Sequence, residues 1–419
     1  MTNERKEHLL HELRRLQTSV KWIIFSLLSG VSIGFVGTFF YYMLQFVTNF
    51  RLTHPAILLF LPLGGVAIVW MYRVLHNEND SGTNLVLSAI HSGEHVPLRM
   101  APLILISTLI THLFGGSAGR EGAALQLGGS IGGALGKLFR FDDKDQHVMI
   151  MCGMSAAFSA LFGTPMAAAI FSMEVISVGI MHYSALVPCV ISALTARAVA
   201  SFCGIVPDSF QIVDMPSFGL TSAFLTGIFA VLCALVSIFF CICLHKSTAL
   251  FRNFFDNPYL RVIVGAAMVL LLTILVGNQT YNGAGMNVIE HCFNGVVPKP
   301  AFLLKIIFTA ITLGCGFKGG EIVPTFFIGA SFGSLFAGLF GLNHGLFAAI
   351  GMCSVFCGVT NCPITSLLIS FELFGYEGMP YYLLAIALSY MLSGYYGLYS
   401  SQKIIYSKYK TSYINRKTK

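Results

Sequence analysis

Long uncharged apolar runs constrain this chain more than any other feature. Trp22 to Phe50 carries no charged side chain, Pro55 to Tyr72 carries none, and Gln146 to Ala196 carries only Glu174, counting His as neutral. A run of about 18 such residues is long enough to cross the hydrocarbon of a bilayer as a helix. Charged residues make up 10% of the 419 residues, against about 25% in soluble globular proteins. These runs define an all-α polytopic membrane protein. Glycines and prolines interrupt them, which predicts many short, tilted or broken helices. Broken backbone is tolerated at membrane depth only where protein or an aqueous cavity satisfies it. A pathway through the chain is therefore expected.

A net charge of +7, from 25 basic and 18 acidic residues, could serve nucleic acid. Its placement excludes that use. Basic residues gather at the start (Arg5, Lys6, Arg14, Arg15, Lys21) and at the end (Lys403, Lys408, Lys410, Arg416, Lys417, Lys419). The positive-inside tendency puts both termini in the cytoplasm of a multi-pass cell-membrane protein, with an even number of spans. Residues 1–21 read as an amphipathic surface helix without a cleavable apolar core, and not as a signal peptide. Residues 401–419 read as a basic tail too short for a soluble regulatory domain. The eleven cysteines lie almost wholly in apolar segments. They lack the paired spacing and His partners of a zinc site, so they read as small hydrophobes. Neither a metal nor a cofactor is expected.

Self-comparison divides the middle of the chain in two, at 22–200 and 201–400. Gly153-Met154, Phe158, Pro165 and Glu174 recur as Gly351-Met352, Phe356, Pro363 and Glu372, each 198 residues later. Upstream, Gly82-Thr83-Asn84-Leu85-Val86 answers Gly285-Met286-Asn287-Val288-Ile289, and LGGSIGG (127–133) answers IGASFGS (328–334). Ordered agreement at three places marks a duplicated domain. Transporters built from such repeats often invert the second half and place their site between the two. Glycine-rich joints cluster where the halves correspond: DSGTN, GSAGREG and FKGGEIVP.

Four acids lie in oily surroundings: Glu121, Glu174, Glu321 and Glu372. A charge at bilayer depth costs about 2.5–3.5 kcal/mol on insertion scales, so each needs a partner or a task. Glu174 and Glu372 close equivalent apolar helices, and a matched pair suggests architecture, through bonds to nearby backbone or basic groups. Glu121 and Glu321 sit on glycine joints, where bare backbone N–H groups can face an anion at a helix start. A carboxylate there competes for the anion site, and once protonated it leaves or donates a hydrogen bond. Gly115-Gly116-Ser117-Ala118-Gly119 also matches a serine hydrolase elbow, but the motif needs a preceding strand and a His–acid pair. A membrane helix precedes it here, and His112 has no convincing acid to orient it, so no enzyme is expected.

At these residues the chain resembles the CLC family of chloride channels and anion/proton antiporters. The resemblance rests on GREG (119–122), GGEIVP (319–324), Ser81-Gly82 ahead of a helix, Leu398-Tyr399-Ser400, and the matched Pro/Glu repeats. It covers about Trp22 to Tyr399. It implies a fold of two inverted-topology helical repeats with about eighteen helical segments, and a homodimer with a separate pore in each subunit. Glu121 resembles the gating, proton-coupling glutamate, and Tyr399 the tyrosine whose hydroxyl faces the central anion. The implied anion pathway adds Ser81, Gly82, Thr83, Asn84, Gly119, Arg120, Gly122, Gly320, Glu321, Ile322 and Val323, with Arg120 fixing its joint. Ala123 stands for the usual proline after GREG, and Val175 stands where chloride/proton exchangers often carry an internal proton glutamate.

Glu321 resembles the extra pore glutamate of the fluoride-exporting branch, CLC-F. Fluoride is small, strongly hydrated and a powerful hydrogen-bond acceptor, so a protonated carboxyl can replace lost water. An ionised Glu321 would repel any anion, so it must be protonated while the anion passes. The expectation is fluoride/proton antiport exporting fluoride across the cell membrane. The alternative is a chloride channel or chloride/proton exchanger of the same fold.

Overall fold

In the computed structural model, residues 3–78, 80–94 and 96–419 are described, with side chains from residue 11 onward. Met1, Thr2 and the side chains of Arg5 and Lys6 lie outside the described residues. The described residues form sixteen α-helices, two 3-10 helices and three short strands. Helix α1 (Asn3–Thr53) is continuous over 51 residues, so the charged start and the first apolar run are one helix. No glycine or proline falls between Asn3 and Ser29 to break it.

Among the described residues, six helices are long and apolar enough to cross a membrane by length and composition. Others are too short. Helix α4 (Met100–Leu113) has 14 residues and α12 (Ala301–Cys315) has 15. At 1.5 Å per residue they cover only part of a hydrocarbon core about 30 Å thick. Such partial spans are the broken helices that the interior glycines predict.

The repeat appears as two matching glycine crossings. Helix α5 (Glu121–Leu138) packs on α6 (Asp143–Phe162) so closely that a Cβ at Gly128 would lie 2.1 Å from the Gly153 carbonyl oxygen. Helix α13 (Ile322–Phe340) packs on α14 (His344–Thr360) in the same way, with 2.3 Å from a Cβ at Gly329 to the Gly351 oxygen. No side chain fits at either crossing, so glycine is required at the same place in both halves.

The halves lock through their matched acids. Helix α7 (Pro165–Glu174) ends in Glu174, whose carboxylate accepts from the backbone N of Ile364 (3.0 Å) and Thr365 (2.8 Å) and from Thr365 Oγ1 (2.6 Å). Those amides open α15 (Pro363–Phe374). Glu372, near the end of α15, accepts in return from Met166 N (2.9 Å) and Ala167 N (3.0 Å) at the start of α7. Each helix is capped by the other's acid, which requires the two to run antiparallel.

The basic tail is folded. Strand β1 (Ser177–Val178) pairs in parallel with β2 (Lys403–Tyr406), which pairs antiparallel with β3 (Tyr413–Lys417). The tail's charge obscures its alternation: Ile404 is fully buried, while Lys410 is exposed. Lys408 reaches back to the Tyr390 carbonyl (3.0 Å) and Ser393 Oγ (3.2 Å).

Candidate functional site

The GREG and GGEIVP joints meet backbone to backbone. Gly119 N donates to the Gly320 oxygen (2.7 Å) and Gly320 N to the Gly119 oxygen (2.8 Å), a two-residue antiparallel bridge. A Cβ at Gly320 would lie 2.5 Å from Gly122 N, and one at Gly122 would lie 2.9 Å from Glu321 Oε2. Glycine therefore brings the carboxyl of one half over the first helical turn of the other. Helices α5 and α13 both begin at this bridge, and their first-turn amides have no intrahelical acceptors. The arrangement concentrates donors for an anion.

The two glutamates are held differently. Glu121 is fully buried and paired: Arg120 Nε donates to Oε1 (3.1 Å) and Arg120 N to Oε2 (3.2 Å). Arg120 also binds Asp208 Oδ2 (2.9 Å) and lies over the Tyr41 ring. Its guanidinium is thus engaged by two acids. Glu321, by contrast, buries Oε2 with no hydrogen-bond partner among the described residues. Tyr399 is 1% exposed and its hydroxyl also lacks a partner. It lines the same pocket as Glu321.

Two pockets approach this centre. One, of about 590 Å³, is lined by Ser81, Gly82, Thr83, Asn84, Glu321 and Tyr399. The other, of about 580 Å³, is lined by Arg120, His112, Arg51 and Asn282 among others. Asn253, just before helix α10 (Pro258–Val276), borders the first, and Gln279, just after it, borders the second. The pockets therefore open at opposite ends of a spanning helix, with Glu121 and the glycine bridge between them.

Within the first pocket the side chains have distinct neighbours. Thr83 Oγ1 donates to the Gly122 oxygen (3.4 Å), and Gln126 Nε2 donates to Thr83 Oγ1 (3.3 Å). Asn84 Oδ1 instead accepts from Ser401 N (2.9 Å), which ties the segment carrying Tyr399. Ser81 is exposed at the pocket, while Ile322 and Val323 are fully buried in the first turn of α13. The elbow serine, Ser117, bonds Thr309 Oγ1 (3.0 Å), and His112 Nε2 faces the Gly119 oxygen (3.3 Å). They form no nucleophile–base pair.

Three polar groups at the site stand outside the sequence expectations. Gln126 is a lone amide in an apolar helix face, and its Oε1 is buried without a partner. Asp80 binds Lys318 (2.8 Å) and caps the Gly82 amide (3.1 Å), joining the first joint to the third. Lys305, fully buried in α12, donates to the carbonyls of Gly283 (2.6 Å) and Tyr281 (3.2 Å). A charge interrupting FLLKIIF signals it in the sequence as clearly as the acids are signalled.

Two interlocked helical halves with a donor-rich glycine centre between opposed pockets make an arrangement suited to holding an anion inside a membrane protein. The family described as voltage gated chloride channel matches residues 64–394, and the chain belongs to this family, the CLC proteins. A chloride/fluoride channel protein of Pseudomonas syringae pv. tomato is 35% identical over 405 residues, covering 95% of this chain and 90% of that protein. The H(+)/Cl(-) exchange transporter ClcA of Vibrio cholerae is 26% identical over 398 residues, covering 86% and 83%. Among solved structures, a CLC-type fluoride/proton antiporter superposes with TM-score 0.88 at 34% identity, over 91% of this chain and 98% of the other. A slow cyanobacterial Cl-/H+ antiporter, at 19% identity and TM-score 0.76 over 89% and 94%, shares the fold. The chain accordingly has the CLC architecture of two inverted repeats.

Proposed function

We propose that this chain is a fluoride/proton antiporter that exports fluoride from the cytoplasm, working as a homodimer with both termini cytoplasmic. The observation that carries the reading is the buried, unpartnered Oε2 of Glu321 above the first turn of α5. Chloride gains little there that backbone amides do not already supply. Fluoride, a stronger acceptor, gains a replacement for lost water when Glu321 is protonated and donates to it. The likeness to a fluoride/proton antiporter over 91% of the chain supports the same substrate.

Glu121 is the coupling group. Ionised, it occupies the amides at the start of α5 and excludes the anion. Protonated, it releases them, and fluoride enters between Glu321 and Tyr399. Return of Glu121 to its amides expels fluoride and hands its proton to the opposite side. A proton thus moves inward as fluoride moves outward. Thr83, Gln126 and the Tyr399 hydroxyl line the approach, and Arg120 holds the joint.

The second reading, chloride transport by the same machinery, is favoured by the 26% identity to ClcA. Purified protein in liposomes carrying only fluoride or only chloride separates the two. Fluoride efflux should drive proton uptake while chloride moves slowly. Equal fluxes of the two anions would replace the fluoride reading with the chloride one.

A further inference from the structure

Arg51, in the last turn of α1, is 4% exposed, yet its Nε and Nη1 have no hydrogen-bond partner among the described residues. Its guanidinium lies against two glycine turns. A Cβ at Gly283 would stand 2.7 Å from Nη2, and one at Gly115 would stand 3.5 Å from Nη1. The carbonyls of those turns accept from other donors and not from Arg51. Gly283 O receives the Lys305 ammonium (2.6 Å), Gly115 O receives Asn282 Nδ2 (2.8 Å), and Gly116 O receives Gly283 N (3.1 Å). No ion pair among the described residues includes Arg51 or Lys305.

A buried cation left unpaired is costly, and proteins pair such charges or give them a ligand. Arg51 borders the second pocket, together with Arg120, His112 and His291, and no Asp or Glu lines that pocket. Arg120 is occupied by Glu121 and Asp208. Arg51 is therefore the guanidinium of this pocket that no acid engages among the described residues, and buried Lys305 meets the same Gly283 turn. The first pocket differs in carrying both signs, the acids Asp80 and Glu321 together with the bases Arg252 and Lys318.

We propose that the second pocket holds an anion-binding site anchored by the Arg51 guanidinium, which takes a small monovalent inorganic anion between bulk solution and the Glu121 joint. The site rests on the reading that anions pass Glu121, and it adds a station at the far end of the pathway from Tyr399. Holding an anion there raises its local concentration at the joint without engaging the coupling glutamate.

Two measurements on the full chain test it. Crystals of the wild-type protein soaked in sodium bromide should show an anomalous peak in contact with the Arg51 guanidinium. In liposomes, Arg51→Gln should raise the half-saturating fluoride concentration on the side of the second pocket about tenfold, the equivalent of one charge-assisted hydrogen bond. Arg51→Lys, which keeps the charge, should stay near wild type. An empty Arg51 site in bromide, or an unchanged half-saturation in a transporting Arg51→Gln protein, overturns the proposal. If Arg51→Gln does not fold, the wild-type bromide experiment and Arg51→Lys decide, and a well-folded Arg51→Lys whose half-saturation rises about tenfold overturns the charge-anchored site. A wild-type protein that moves no anion defeats the transport reading instead, while the bromide peak still reports on Arg51.

Discussion

Glu121 and Glu321 begin neighbouring helices but are held in opposite ways, and different substitutions should separate their roles. Glu121 is saturated by Arg120, whereas Glu321 leaves an oxygen free beside Gly122. Glu321→Gln keeps a donor, and Glu321→Ala removes it. Ala should lower fluoride flux about tenfold, the worth of one hydrogen bond in the transport barrier, and narrow the preference over chloride. Gln should retain more flux than Ala. Anion efflux from liposomes, read with a fluoride electrode, checks the order; an Ala variant equal to wild type for both anions would remove Glu321 from selectivity. Glu121→Gln cannot ionise, so fluoride-driven proton uptake should vanish while the protein still purifies normally. Continued proton movement in that variant would show that another group carries the proton. Arg120, held by two acids over a tyrosine ring, is a positioning group by geometry. Arg120→Lys loses the planar fork that spans Glu121 and Asp208, and should lower folding yield more than it alters anion preference.

At the scale of elements, the reciprocal caps of α7 and α15 explain why an oily helix ends in an acid twice, 198 residues apart. Glu174→Ala would strand the buried Thr365 amide and hydroxyl and the part-buried Ile364 amide, and should destabilise the protein by about 2–3 kcal/mol. Glu372→Ala, at a more open cap, should cost about 1–2 kcal/mol. Thermal unfolding in detergent reads both; equal and negligible shifts would mean that the caps are not holding the halves. The sequence discloses these features because they are local or repeated. A charge in oil, a glycine joint and an ordered offset can be read without coordinates. Three other features lie outside that reading, each for its own reason. Arg51 meets Gly115 and Gly283 only because the fold brings three distant segments together. Lys305 was legible by the same cost that marks Glu121, but acids suggest anion gating and an isolated base does not. The tail hairpin was hidden because its positive charge outweighs its short apolar alternation. That hairpin matters for the site: Thr418 Oγ1 donates to the Tyr399 carbonyl (2.7 Å), so a distant strand end steadies the pore tyrosine.

For the molecule as a whole, the decisive property is that one chain supplies both sides of its own centre. Gly119 and Gly320 belong to different halves of the same chain, and so do Glu121 and Glu321. A pathway closed in this way needs no residue from a second subunit. If the protein works as a dimer, as the family resemblance implies, the two pathways should then act independently. A tandem fusion with one wild-type copy and one Glu121→Gln copy should carry about half the coupled proton flux of the wild-type fusion, since one of two parallel coupled routes is removed. The expected residual is set by counting pathways, not by interface strength. Flux per fused protein, measured in liposomes dilute enough to hold one molecule each, checks this. A mixed fusion as inactive as the doubly substituted one would mean that the pathway is shared across the interface, and the single-chain centre described here would not be the complete transport unit.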